Sequence, residues 1–294
     1  MKTQLRFLAL FLTLLSPSAS RADDPKIQHR LMVCEYGKGP NRLIELDESG
    51  KVVWEHRPPS LAVIFHVLPS GNVLYAFGGK PTGVREITRQ GVEVWSYISQ
   101  CPQVLGCDRL PNGNTLVGEQ GPCRAVEVNA KGEVVHVTAL KTSQEGYHLQ
   151  LRNLHKLPSG NILAAHEGEG AIREYDPEGN VVWEITGLEN AGDARRLPNG
   201  NTLISCGTQK RVIEVTPGKE IVWQFTAADA PELNLTWISS LQQLPNGHLF
   251  LGNFLRGQEG KGVDAFEITR EKKVVWRWAD HNLIKSLTTV RVVD

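Results

Sequence analysis

The chain has 294 residues, of which 40% are hydrophobic and 22% charged, a composition too apolar for an intrinsically disordered protein. Its 32 basic and 32 acidic side chains balance, so bulk charge gives no reason to expect binding to nucleic acid or to an anionic membrane. The length suits either two domains or one large all-β unit, and internal repeats decide between them.

Residues 1–22 have the features of a secretory signal peptide. Lys2 and Arg6 precede the apolar run FLALFLTLL, and small residues lead to Ala22, after which we expect cleavage. This run is too short for a membrane anchor, and no later segment approaches the ~18 apolar residues of a spanning helix. We therefore expect a secreted or periplasmic protein with no membrane span, in which residues 23–294 form one domain.

Two short strings recur along the rest of the chain, and both predict hairpins. The first is LPSGN, LPNGN or LPNGH, and it lies between two apolar runs at each occurrence, as expected of a tight turn between strands. The second runs from a glutamate to an aromatic residue nine positions later, with a turn-forming segment such as DESGK between them. The turn strings begin at Leu68, Leu110, Leu157, Leu197 and Leu244, and the second strings begin at Glu45, Glu86, Glu127, Glu174, Glu214 and Glu267.

Together these hairpins predict six repeats of four strands, in the order A, B, C and D. The glutamates are 40 to 53 residues apart, which is typical of a propeller blade. The sequence thus predicts an all-β fold, a single six-bladed β-propeller of four-stranded blades with negligible helix. The first repeat lacks its A strand, and we expect residues 288–293 to supply it by pairing with residues 31–34, which closes the ring.

The hairpin strings ELDESGKVVWE and EYDPEGNVVWE resemble the repeat of the quinoprotein-like (PQQ-repeat-like) propellers. Combined with LPNGNTL, they are also similar to the propeller of bacterial arylsulfotransferases. The resemblance covers nearly all of residues 30–294, and its motifs imply the fold rather than an activity. Quinone-dependent dehydrogenases of that superfamily have eight blades and adjacent disulfide-bonded cysteines, whereas this chain has six repeats and no Cys-Cys pair, which argues against a bound quinone.

Residues present in every repeat are expected to serve the architecture, whereas a site must break the symmetry. We therefore assign the six repeated glutamates and the repeated tryptophans to blade packing and to hydrogen bonds between blades. His136 stands where the other repeats have tryptophan, and we interpret it as a packing substitution.

Polar residues that differ between repeats are the candidates for a site. Five stand two residues before a turn leucine, on the predicted innermost strands: His66, Asp108, His155, Arg195 and Gln242. Glu119, His166 and Asn253 follow a small residue at the ends of B strands, while Asn153 and Asp193 lie two residues upstream of His155 and Arg195. We expect this set, with Trp237, to border the channel mouth on the face of the variable D–A and B–C loops. The alternative is a water-filled channel whose polar lining binds nothing.

Three functions remain open at the level of the sequence. The first is binding of a small molecule, a glycan or a protein partner at the loop-rich face. The second is an enzyme of the sulfuryl transferase, lyase or hydrolase type acting on an anionic substrate, with Arg195 holding the anion and His66 or His155 as nucleophile or general base. The third is a divalent metal bound by His66, His155 or His166 with Asp108 or Glu119, although their spacing is not diagnostic.

The five cysteines allow one specific prediction about cross-linking. Cys101 falls in a D–A connection and Cys123 in the following B–C loop, so both are expected on one face of one blade, and we predict a disulfide between them. Cys107 and Cys206 fall on inner strands and are expected to be buried hydrophobic residues.

Overall fold

The computed structural model describes residues 29–293, so the predicted signal peptide at residues 1–22 lies outside the described residues. The described chain forms six four-stranded antiparallel sheets, which confirms the predicted six-bladed propeller. Helix in this part of the chain amounts to three single 3-10 turns, Tyr147–Leu149, Glu167–Glu169 and Pro231–Leu233. No helix within residues 29–293 is long and apolar enough to cross a bilayer.

The blades follow one another along the chain, and within each blade the strands are ordered from the channel outwards. Blade 1 contains β24 (Leu287–Val292), β1 (Leu31–Glu35), β2 (Arg42–Leu46) and β3 (Val52–His56). Blade 2 contains β4 (Ala62–Val67), β5 (Val73–Gly78), β6 (Thr82–Ile87) and β7 (Glu93–Ile98). Blade 3 contains β8 (Gln103–Arg109), β9 (Thr115–Gln120), β10 (Arg124–Val128) and β11 (Val134–Ala139).

The other three blades repeat this order without interruption. Blade 4 contains β12 (Asn153–Lys156), β13 (Ile162–His166), β14 (Ala171–Tyr175) and β15 (Val181–Ile185). Blade 5 contains β16 (Ala191–Arg196), β17 (Thr202–Cys206), β18 (Arg211–Val215) and β19 (Ile221–Thr226). Blade 6 contains β20 (Ile238–Gln243), β21 (Leu249–Asn253), β22 (Ala265–Ile268) and β23 (Val274–Trp278).

The C-terminal strand closes the ring as the sequence predicted. β24 pairs antiparallel with β1, in a register that places Val292 opposite Leu31 and Val290 opposite Val33. Both ends of the described chain therefore meet in blade 1, and the innermost strand of that blade is the last strand of the sequence.

The LPxG strings form the A–B turns because glycine tolerates the backbone conformation that these turns require. In the first of them the amide of Gly71 donates to the carbonyl of Leu68 at 2.8 Å, and Gly71 itself has φ +83°. Gly113, Gly160, Gly200 and Gly247 hold the same left-handed conformation in the other four turns. These short turns occupy one face of the propeller, and the longer D–A and B–C connections occupy the other.

The repeated glutamates and tryptophans join neighbouring blades, as predicted. Trp54 donates its indole N–H to the carbonyl of Arg89 in the next blade at 2.7 Å, and Trp183 donates likewise to Pro217 at 2.9 Å. Glu174 of blade 4 accepts a hydrogen bond from Arg196 of blade 5 at 2.6 Å. The apolar core is divided among these blade interfaces, so each blade is stabilised by its two neighbours.

The predicted disulfide between Cys101 and Cys123 is wrong, because all five cysteines are free thiols. Cys101 packs against the apolar cluster between blades 2 and 3, and its Sγ donates to the carbonyl of Gln103 at 3.1 Å. Cys123 is buried in the cluster between blades 3 and 4. The two side chains belong to opposite sides of blade 3, a separation that loop positions alone do not reveal. Cys107 and Cys206 are buried among apolar side chains, as expected.

Candidate functional site

Six side chains on the innermost strands surround the central channel at one level, and we call them the polar ring. They are His66, Asp108, His155, Arg195, Gln242 and Arg291. The sequence prediction contained the first five and missed Arg291 of β24. The strand register shows that Arg291 is equivalent to the other five. In blade 3, Asp108 stands opposite Leu116, which stands opposite the repeated Glu127. In blade 1, Arg291 stands opposite Met32, which stands opposite the repeated Glu45.

The polar ring lies near the face that carries the A–B turns, whereas the sequence analysis expected it at the loop face. His66, Arg195, Gln242 and Arg291 line a cavity of about 610 Å³ that also includes turn residues such as Pro69, and we call it the turn-side cavity. Asp108 and His155 line an adjoining recess of about 380 Å³ that shares Arg195 with it. Strand A runs from the loop face to the A–B turn, so residues just before the turn leucine lie near the turn-bearing mouth.

His155 is held between two carboxylates. Its Nε2 lies 2.9 Å from Oδ1 of Asp193, and its Nδ1 lies 3.1 Å from Oδ2 of Asp108. Arg195 Nη1 also lies 3.2 Å from Nδ1 of His155. A protonated Nδ1 donates to Asp108, whereas an unprotonated Nδ1 accepts from Arg195, so the ring nitrogen has a partner in either state.

Asp193 is the buried anion of this network, at 3% exposure. Its Oδ1 also accepts hydrogen bonds from Asn153 Nδ2 at 2.9 Å and from the backbone amide of Ala194 at 3.0 Å. Burial alone would raise the pKa of Asp193, but the charges of Arg195 and His155 outweigh it and hold that pKa well below the ordinary range. Asn153 therefore orients Asp193 rather than facing the channel mouth.

The other carboxylate of the network, Asp108, is also held ionised. Burial acts to raise the pKa of Asp108, and the hydrogen bond from His155 together with the charge of Arg195 reverses this effect and lowers it. Both carboxylates are thus anions at neutral pH.

The two arginines of the ring share one carboxylate. Arg195 Nη2 lies 3.3 Å from Asp193 Oδ2, and Arg291 Nη2 lies 3.9 Å from the same atom. Arg291 also donates from Nη1 to the carbonyl of Leu241 at 2.7 Å, while its buried Nε has no hydrogen-bond partner in the described chain. Burial, reinforced by the charge of Arg195, lowers the pKa of Arg291 to about 10, so it remains a cation at neutral pH.

His66 contributes a neutral imidazole to the turn-side cavity. Its Nε2 donates to the carbonyl of Cys107 in the next blade at 2.8 Å, which leaves Nδ1 as the acceptor. Burial, together with the charge of Arg291, lowers the pKa of His66 to about 4. Gln242, by contrast, uses its amide to bind the backbone of Val292 in both directions, at 2.9 and 3.1 Å, so it fastens β24 to blade 6.

The candidates at the B-strand ends do not join the polar ring. Glu119 accepts from Arg124 at 2.6 Å and from Tyr97 at 2.8 Å. His166 contacts the Gln150 carbonyl through Nδ1 and the Tyr175 hydroxyl through Nε2, each at 2.8 Å. Asn253 accepts from the amide of Thr236 at 2.8 Å and donates to the carbonyl of Val263 at 2.9 Å. The B strand runs back to the loop face, so its end lies away from the ring.

Trp237 lies where the sequence analysis placed it, on the loop face. It lines a separate cavity of about 670 Å³, which we call the loop-side cavity. Within residues 29–293, no three His, Cys, Asp or Glu side chains converge on a point where they could hold a metal ion.

Comparison with known proteins supports the fold alone. No protein-family model matches the chain, and no curated protein matches it. A protein of unknown function from Bacteroides caccae superposes with a TM-score of 0.79 at 27% identity, covering 90% of this chain and 98% of that one. A streptogramin B lyase superposes with a TM-score of 0.61 at 12% identity, covering 88% of this chain and 85% of that one. A catalytically inactive histidine-to-alanine variant of virginiamycin B lyase from Staphylococcus aureus, with quinupristin, gives 0.59 at 13% identity and covers 85% and 84%.

Proposed function

We propose that the turn-side cavity binds a small anionic molecule, with a carboxylate or sulfate group held by Arg195 and Arg291. One observation carries the proposal: the lining of this cavity contains Arg195, Arg196 and Arg291 and no aspartate or glutamate. A guanidinium fork matches the geometry of two carboxylate or sulfate oxygens, which favours such a ligand.

Existing contacts leave Arg195 able to take a further partner. The contacts of Arg195 with Asp193 are 3.3 to 3.4 Å long, so they are weak for charged groups. Arg291 lines the same cavity and adds a second positive charge. Arg196 differs, because it is already paired with Glu174 at 2.6 Å. A cavity of about 610 Å³ within the channel also favours a small molecule over a glycan or a protein partner.

Calorimetric titration with a panel of mono- and dicarboxylates and sulfate, at low ionic strength, tests this proposal. Arg195→Gln is expected to weaken binding by about tenfold or more, because a charge-assisted hydrogen bond is worth ~1.5–3 kcal/mol. Arg195→Lys keeps the charge but loses the two-pronged guanidinium, so its affinity is expected to lie between those of the wild type and Arg195→Gln. Arg57→Gln is the matched control, since the side chain of Arg57 is 74% exposed outside the channel.

Two results would overturn the proposal. One is the absence of saturable binding by every anion of the panel. The other is an affinity that Arg195→Gln and Arg57→Gln change equally, which would show a general charge effect on the surface.

A reaction at the same mouth is the second candidate function, and His155 is the observation that favours it. Its Nδ1 has a partner with or without a proton: it donates to Asp108 when protonated and accepts from Arg195 when unprotonated. A nitrogen with a partner in both states suits a general acid or base. The lyases with the same fold make a lyase-type step the natural one to test. Mass spectrometry of each ligand recovered from the titrations distinguishes turnover from binding, and His155→Gln is expected to abolish only turnover.

A further inference from the structure

We propose that the loop-side cavity is a second, independent binding site for a neutral and largely apolar molecule that carries a hydrogen-bond donor and an acceptor. Its volume of about 670 Å³ falls in the range of sites for drug-sized ligands. It opens at the opposite end of the channel from the polar ring, among D–A and B–C connections, and it does not depend on anion binding at Arg195.

The floor of this cavity is apolar. Leu61, Val63 and Leu105 line it, and together with Ile64 they form an apolar cluster within the channel. Along β4 the lining changes from Val63 on the loop side to His66 on the turn side. The inner strands of blades 2 and 3 thus separate a polar mouth from an apolar one.

Aromatic side chains form part of the wall. Trp237 and Phe254 of blade 6 and Tyr36 of blade 1 all line the cavity. Arg256 lies over the Trp237 ring, 5.2 Å from its centroid, so that face of the indole is covered. Tryptophan and tyrosine at the rim of a cavity offer a large apolar contact area with a polar edge.

Arg152 and Glu167 supply the polar contacts. The closest approach of their side chains is 3.7 Å, and neither makes a side-chain hydrogen bond of 3.5 Å or less to any of residues 29–293. The side chains are only 16% and 7% exposed, and both line the cavity. Glu167 is buried and Arg152 is partly buried. Two opposite charges with unused hydrogen-bonding capacity favour a ligand that is neutral overall and that both donates and accepts.

Fluorescence titration with N-phenyl-1-naphthylamine tests this site. This probe is neutral and aromatic and carries one N–H donor. We expect saturable binding with one probe per chain, abolished by Val63→Phe, which fills the floor of the cavity. Glu167→Gln keeps the shape but removes the charged acceptor, and it is expected to weaken binding by about tenfold.

Arg195→Gln is the matched control, because that residue lies at the other mouth of the channel, and it is expected to leave probe binding unchanged. Probe binding that survives Val63→Phe in a variant with unaltered melting would place the probe elsewhere, for instance on the exposed valines of the outer strands, and would overturn the proposal. So would the absence of saturable binding. Anion titration of the same Val63→Phe and Glu167→Gln variants tests the turn-side cavity on its own. It therefore distinguishes a failure of the loop-side proposal from a failure of the anion-binding proposal.

Discussion

His166 shows how one side chain can look like a ligand in the sequence and serve stability in the structure. It is fully buried in blade 4, and its Nδ1 donates to the carbonyl of Gln150, so in the neutral ring Nε2 accepts from the Tyr175 hydroxyl. Burial, together with the charge of Arg173, lowers the pKa of His166 to about 4. A second proton on the ring would remove the acceptor that Tyr175 uses.

This residue predicts a specific dependence of stability on pH. Between the unfolded pKa of ~6.5 and the folded pKa of about 4, the unfolded chain binds a proton at His166 that the native chain does not, so stability falls as pH falls. From pH 6.5 to pH 5 the loss from this group is ~1.6 kcal/mol. His166→Gln is expected to remove about that much of the pH dependence in urea unfolding at the two pH values.

His136→Gln serves as the control for that measurement. His136 is exposed at the tryptophan position of blade 3, away from Gln150 and Tyr175, so its replacement is expected to leave the contribution of His166 in place. An identical acid dependence in the wild type and in His166→Gln would contradict the argument. His66, whose pKa is also about 4, is expected to maintain part of the slope in both variants.

At the scale of elements, β24 links closure of the ring to the candidate site. It supplies the innermost strand of blade 1, packs Val290 into the cluster between blades 6 and 1, and carries Arg291 into the turn-side cavity. It is held on its other side by Ser240 and Gln242 of blade 6. Loss of this strand therefore removes an interface between two blades and a cation of the ring.

Deletion of residues 286–294 is expected to cause aggregation and loss of cooperative melting, because the deletion exposes the edge of β1. A synthetic peptide of residues 285–294, added in excess, is expected to restore a cooperative transition in circular dichroism, while a scrambled peptide of the same composition is not. A truncated chain that melts as the wild type does would contradict closure by this strand.

At the scale of the whole molecule, the sequence predicts the features that every blade shares better than it predicts the features that occur at a single site. The turn strings and the glutamate–aromatic strings recur because each blade interface has the same hydrogen bonds to satisfy, and that repetition predicted the six blades and their closure. The sequence analysis missed Arg291 because no LPxG turn follows β24 to mark its position. The mouth was misplaced because positions just before the A–B turn and positions at the ends of B strands were assigned to the same face, whereas strands A and B run in opposite directions and carry their ends to opposite faces.

The absence of a disulfide among the described residues leads to a last prediction about the whole chain. Four of the five cysteines are buried and Cys101 is half-buried. Burial raises the pKa of Cys34 to about 12 and the pKa of Cys123 and Cys206 to about 11, so these thiols carry little thiolate at pH 8. A buried thiol of this kind reacts slowly even in the oxidising compartment that the proposed export of the chain implies.

Titration with 5,5′-dithiobis(2-nitrobenzoate) checks this prediction. At pH 8 the native protein is expected to react slowly, with Cys101 first because its side chain is the least buried, and Cys101→Ser is expected to remove that fastest phase. The non-reduced protein in urea is expected to release five equivalents at once, since its sequence has five cysteines and each is free. For a thiol with a pKa near 11, the thiolate fraction is lower by ~100-fold or more than for an unperturbed one, so native and unfolded rates should differ on that scale. Three equivalents in urea would instead reveal one disulfide and contradict the prediction. If that disulfide joined Cys101 and Cys123, which lie on opposite sides of blade 3, its formation would require the chain around that blade to rearrange.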